Sequence, residues 1–108
     1  MKQLSLTTWE RAQLIALVNQ QSGDLTKLRR WLRVLDVVDL SEDEKEAVGW
    51  EDLADGRSKW EDGDRLWELH FEDADFALLA TTAIEYPRWP VLSKIVDMLD
   101  TLEKVKNG

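Results

Sequence analysis

The sequence predicts an α+β fold: an N-terminal helical hairpin, a short acidic helix, a small antiparallel meander of two to three strands, and two C-terminal helices. Three observations predict it. Apolar residues recur at helical spacing through residues 8–39, between recognisable caps. From Val48 the pattern changes to tryptophans separated by glycines, with two Asp-Gly pairs and a strict alternation near 65–71. Helical spacing returns after Asp73 and holds almost to the end.

The first helix starts at Thr7-Thr8-Trp9-Glu10, where Thr7 caps and Glu10 completes a capping box. It runs to about Gln21, with Trp9, Ala12, Leu14, Ile15, Leu17 and Val18 on its apolar face, and Ser22-Gly23 ends it. Asp24 caps a second helix over 25–39. There Leu25, Leu28, Trp31, Leu32, Leu35 and Val38 form one arc, expected inward. Lys27, Arg29, Arg30 and Arg33 form the opposite arc with Val34 and Val37 among them, expected in solvent. Ser41 and Glu44 make a second capping box and open a short acidic helix ending near Gly49. Strands are expected near 48–53, 57–61 and 65–71, with Asp55-Gly56 and Asp62-Gly63 as hairpin turns. In the last strand Trp67, Leu69 and Phe71 share one face. Asp73 is expected to cap a helix over 74–85 with Phe76, Leu79, Ala80, Ala83 and Ile84 inward. Pro90 is placed in the first turn of a final helix reaching about Lys106, with Val91, Leu92, Ile95, Met98, Leu99 and Leu102 inward.

At 108 residues, without repeats or a linker, residues 1–108 read as a single compact domain. Charge is split along the chain. Residues 1–35 carry six cations and two acids, a net of +4, whereas residues 36–108 carry −12. The total of −8 disfavours general nucleic-acid binding, because most of the surface repels phosphate. No cysteine is present, so disulfides, a thiol nucleophile and cysteine metal sites are excluded, and a reducing, cytoplasmic location is favoured. The N-terminal residues lack the apolar run of a signal peptide, and no stretch is apolar enough to span a membrane.

No residue pattern points to catalysis or to a cofactor. His70 is the only histidine and reads as a strand residue beside Glu68 on the polar face. The clusters Glu42-Asp43-Glu44, Glu61-Asp62-Gly63-Asp64 and Glu72-Asp73-Ala74-Asp75 read as caps and a turn, since none has the spacing of a calcium loop. Asp43-Glu44-Lys45 has the residue types of a nuclease site but lies at a helix start. Ser58 and Ser93 lack an accompanying histidine, and no phosphate-binding glycine loop is present.

Two features suit binding instead. Six tryptophans are many for this length, and tryptophan anchors interfaces through its large area and its N–H. Most are expected in the core, with Trp60 and Trp89, both beside turns, exposed. The second feature is the basic face Lys27, Arg29, Arg30 and Arg33. The helix order followed by a hairpin loosely imitates a winged helix-turn-helix, but the element at the recognition-helix position is Glu42-Asp43-Glu44-Lys45-Glu46, which phosphates repel.

Together these segments form a pattern: Leu4-Ser5-Leu6-Thr7-Thr8-Trp9-Glu10-Arg11, then Leu28-Arg29 and Leu32-Arg33, then Ser41-Glu42-Asp43-Glu44, then Trp60 and Glu68-Leu69-His70-Phe71-Glu72. Over most of the chain this resembles small phage- and prophage-encoded proteins that carry no established activity. The resemblance implies a cytosolic protein of bacterial or phage origin. The function expected is a non-enzymatic protein-binding module that modulates a host protein. Its candidate contact residues are Lys27, Arg29, Arg30, Arg33, Trp60 and Trp89, or the acidic stretch 42–64 with a net charge of −7. The alternative is a small DNA-binding regulator using Lys27, Arg30 and Arg33, and a third is an acid-based, metal-dependent hydrolase.

Overall fold

The computed structural model describes residues 1–108. The elements run β1 (Lys2–Thr7), α1 (Thr8–Asn19), α2 (Leu25–Val38), α3 (Glu42–Ala47), β2 (Glu51–Asp52), β3 (Ser58–Lys59), β4 (Leu66–Phe71), α4 (Asp73–Glu85) and α5 (Ser93–Asn107). The α+β class expected from the sequence is the class observed.

Strand β1 was not among the expected elements, and it rearranges the sheet. It pairs antiparallel with β4, from Lys2 opposite Phe71 to Thr7 opposite Leu66. Leu4 and Leu6 point inward beside Leu69 and Phe71, while Gln3 and Ser5 face outward opposite His70 and Glu68. Gln3 Nε2 donates to Glu68 across the outer face. The expected meander is instead two separate ribbons, β1–β4 and β2–β3. The cause is the burial pattern. Both strands of β1–β4 carry an apolar face that the helices cover, whereas β2 and β3 are Glu-Asp and Ser-Lys, with nothing to bury.

Asp55-Gly56 turns between β2 and β3, with Gly56 at φ 85°, a left-handed conformation that glycine accepts freely. Asp62-Gly63 is not a hairpin turn. It lies in the connection to β4, where the Gly63 and Arg65 carbonyls accept the N–H groups of Trp9 and Thr8 at 3.2 and 3.1 Å. Two backbone donors left over at the start of α1 are thereby satisfied.

Both predicted capping boxes form: Thr7 with Glu10 opens α1, and Ser41 with Glu44 opens α3. The α4 start differs from expectation. Glu72 occupies the cap position without a side-chain hydrogen bond, and Asp73 faces the amino group of Met1 at 2.8 Å instead. Phe76, Leu79, Ala80 and Ala83 are buried as the spacing predicted. The final helix begins at Ser93, so Pro90 precedes it, and Val91 and Leu92 are exposed rather than inward. Ile95, Met98 and Leu102 are buried.

The core forms where the inner face of β1–β4 meets α1, α2, α4 and α5. Two ion pairs reach into it. Arg11 of α1 is 1 % exposed. Its Nε donates to the Val38 carbonyl at 2.9 Å, its Nη2 to the Asp39 carbonyl at 2.6 Å, and its Nη1 to Glu44 Oε2 at 3.0 Å. The end of α2, the start of α3 and the middle of α1 therefore share one guanidinium, which lies over the Trp67 ring at 5.5 Å. The second pair joins Arg33 of α2 to the buried Asp75 of α4 through two bonds of 3.2 Å.

Candidate partner-binding surface

Helix α2 defines the surface, because it is turned about its axis from the expected orientation. Its buried residues are Trp31, Val34 and Val38, spaced i, i+3, i+7. Of the arc expected inward, Trp31 and Val38 are buried and Leu35 is half-buried, while Leu25, Leu28 and Leu32 are 62, 42 and 59 % exposed. The inner face has shifted from that arc toward Val34, which was expected in solvent. In this orientation Arg33 reaches Asp75, and Arg11 holds the carbonyls that end α2. Burying a leucine fully is worth about 1.5–3 kcal/mol, so three leucines left in water on one helix edge make a candidate contact surface.

The edge slopes into a groove of roughly 320 Å³ between α1 and α2, lined by Val18, Asn19, Gln21, Leu28, Trp31, Leu32 and Leu35. Trp31 in this wall is buried, and its Nε1 hydrogen has no acceptor. Such orphaned donors are uncommon in folded proteins.

The four basic residues expected here divide. Lys27, Arg29 and Arg30 are exposed and form no salt bridge. Arg33 is occupied by Asp75, whose hydrogen bonds and charge raise its pKa above the ordinary arginine value. Arg29 borders the leucines, four residues after Leu25. Lys27 and Arg30 lie further round the helix, where they line a shallow depression with Asp24, Thr26 and Leu78.

The two tryptophans expected to be exposed are half-buried and lie elsewhere. Trp60 stacks on Trp50 with ring centroids 4.9 Å apart and planes 10° apart, outside the main core. Trp50 Nε1 and Ser58 Oγ donate to Asp52 at 3.0 and 2.7 Å, and these bonds hold the Asp52 carboxyl below its ordinary range. Trp89 packs edge-on to Tyr86 and donates to the Ala83 carbonyl at 2.8 Å. It lines a different groove, formed with Gln13, Leu17, Gln20 and Pro90. Trp31 alone is fully buried, while Trp9, Trp67 and Trp89 are half-buried and pack against the core.

His70 is exposed on the outer face of β4, 3.8 Å from Glu68. No three side chains among the His, Asp and Glu residues converge as metal ligands. No helix is long and apolar enough to cross a membrane. No family model matches the chain, and neither a curated protein nor a solved structure matches it.

The leucines are the residues that sequence reasoning placed wrongly. A signal was present: Val34 extends the apolar arc beyond Trp31 and Val38, so the apolar residues of α2 span more of the helix than one core-facing strip needs.

Proposed function

We propose that this protein is a small non-enzymatic binding module that docks a partner protein along α2. The observation that supports it is the exposed edge Leu25, Leu28 and Leu32, which borders a groove and lies on the same helix as three unpaired cations. Apolar side chains in water beside polar or charged residues are the usual composition of a protein interface. The resemblance to small phage and prophage proteins supports a modulator of a host protein in the bacterial cytoplasm.

The DNA-binding alternative is less well supported. Of Lys27, Arg30 and Arg33, the last is engaged by Asp75, and leucines offer nothing to a phosphate backbone.

The test is capture from bacterial lysate by the tagged chain, followed by reconstitution of the recovered protein with purified components. Leu28→Asp with Leu32→Asp should abolish binding while the variant stays folded. Lys27→Glu with Arg30→Glu should weaken it. Arg33 is left unchanged, since Arg33→Glu would set two carboxylates against each other at Asp75. Capture that is indifferent to both leucines would refute the reading.

A further inference from the structure

We propose that the tryptophan-bearing face of the β2–β3 ribbon docks a basic, arginine-bearing segment of a partner protein, with an arginine laid against the stacked Trp50 and Trp60 and paired with Asp52. This surface is separate from the α2 edge and does not rest on the docking reading above.

The ribbon builds the face through its register. Glu51 lies opposite Lys59 and Asp52 opposite Ser58, so Trp50 and Trp60 meet one step further along. Residues two apart on a strand share a face, which groups Trp50 and Asp52 with Ser58 and Trp60. The indoles stack with centroids 4.9 Å apart, and both are only half-buried. Their backbone is tied to the end of α3. The Trp50 N–H donates to the Lys45 carbonyl at 2.8 Å, and the Glu61 N–H to the Val48 carbonyl at 2.7 Å. A cross-strand aromatic pair steadies a short ribbon. That role accounts for the stack but not for the carboxylate beside it. Trp50 Nε1 and Ser58 Oγ both donate to one oxygen, Oδ1 of Asp52. Oδ2 accepts no hydrogen bond from the chain, and Asp52 forms no salt bridge. The face therefore offers two indoles and a fixed, exposed carboxylate with one oxygen to spare.

Charge selects the sign of the occupant. Between Glu42 and Asp62 every cation is already taken: Lys45 pairs with Glu42, Arg57 with Asp55 and Lys59 with Glu51. Glu44 is held by Arg11. Asp43, Glu46, Asp52, Glu61 and Asp62 are exposed without an ion-pair partner. The Lys45 charge reaches Asp52 as the smallest of the influences on it. The local excess of acid and the chain's total of −8 have the same sign. Both draw a basic segment and repel an acidic peptide, a nucleic acid or an anionic lipid surface. Arginine suits the face best, because its planar guanidinium stacks on an indole while its N–H groups reach a carboxylate. A second copy of this chain offers Lys27, Arg29 and Arg30 but brings a further −8 with them.

The experiment uses the full chain, isotopically labelled, and synthetic peptides observed by NMR. The first peptide carries arginines separated by glycine and serine. A second has lysine in place of each arginine, and a third has glutamate. The arginine peptide should move the indole N–H signals of Trp50 and Trp60 and the amides of residues 50–60. The lysine peptide should bind more weakly and the glutamate peptide not at all. Asp52→Asn keeps the oxygen that Trp50 and Ser58 bond, so the ribbon stays formed. It should weaken the arginine peptide by about threefold or more, as should Trp60→Leu. Asp100→Asn removes the same charge from α5 and should leave the affinity unchanged. Leu28→Asp with Leu32→Asp on α2 should not weaken it. The unperturbed signals of β1–β4 in each variant verify folding.

No response to the arginine peptide would overturn the inference. Equal binding of the lysine peptide, or an equal loss from Asp100→Asn, would reduce the contact to general charge attraction and overturn it as well. Loss of binding with the leucine variant would place the peptide on α2 instead. Indole shifts on concentrating the chain alone, abolished by Lys27→Glu with Arg30→Glu, would make the occupant a second copy and refute a separate partner. Apart from the leucine result, none of these outcomes bears on the α2 reading, which lysate capture tests by itself.

Discussion

Arg11 Nη1 lies 3.0 Å from Glu44 Oε2, and the same Glu44 carboxylate accepts the Ser41 N–H that closes the cap of α3. One carboxylate thus serves a local motif and a long-range one. Through it the buried Arg11 fixes where α2 ends and α3 begins, and so helps to set the face that α2 turns outward.

Glu44→Gln leaves the Arg11 charge buried with two backbone carbonyls and no counter-ion. The expected loss is about 2–3 kcal/mol, at the low end for stranding a buried charge because Glu44 remains partly in water. Urea unfolding followed by tryptophan fluorescence measures it. Arg11→Met with Glu44→Leu should recover much of the loss, since removing both partners strands nothing.

The same pair sets a pH dependence. Burial is the largest influence on the Glu44 carboxyl and opposes ionisation. Hydrogen bonds from Arg11 and Ser41, with the Arg11 charge, outweigh it and hold the group below its ordinary range. A folded-state pKa below the unfolded one contributes stability that is fully present above the unfolded value of about 4.3. That contribution is lost as pH falls through the depressed folded value. The stability gap between wild type and Glu44→Gln should therefore be constant at neutral pH and close on acidification below about pH 4.

Arg33→Ala should lower the melting temperature despite the exposure of Arg33, because it strands the buried carboxylate of Asp75. Arg33→Glu should lower it further. Arg30→Ala, one turn away on no partner, should leave it unchanged. Thermal unfolding of the three variants side by side checks the order.

Two leucines of opposite fate give a sharper contrast. Leu6 is fully buried in β1 and Leu32 is exposed on α2. Leu6→Ala should cost about 2–5 kcal/mol, and Leu32→Ala should stay within about 0.5 kcal/mol of wild type. Equilibrium denaturation of both variants reads this directly.

What was legible in the sequence was local. Thr7 with Glu10 and Ser41 with Glu44 are capping boxes within one turn of chain, and both form. The alternation of Leu69 and Phe71 and the helical spacing of Phe76, Leu79, Ala80 and Ala83 report burial without reference to distant residues. What was illegible depends on pairing across the chain. Leu4 and Leu6 form a strand because β4 lies opposite them more than sixty residues later. Arg11 counts as one charge in the sequence, and only the fold shows it buried over the Trp67 ring and against Glu44. The apolar residues of helix α2 span a broad arc, and which part of it is buried depends on contacts with other elements, such as Arg33 with Asp75 of α4. Candidate contact residues were therefore legible as a helix, with Lys27, Arg29 and Arg30 on it, but the exposure of Leu25, Leu28 and Leu32 was not.

The outward turn of α2 carries the whole account, and the absence of native cysteine allows it to be measured residue by residue. Leu28→Cys, Leu32→Cys and Val34→Cys, each made singly, would be treated with a thiol reagent under native conditions. The account predicts labelling at positions 28 and 32 at rates near those of the unfolded chain. It predicts protection at position 34, by a factor that tracks the stability of the fold. Protection at 28 and 32 with free labelling at 34 would show that the leucines face the core, and would contradict it.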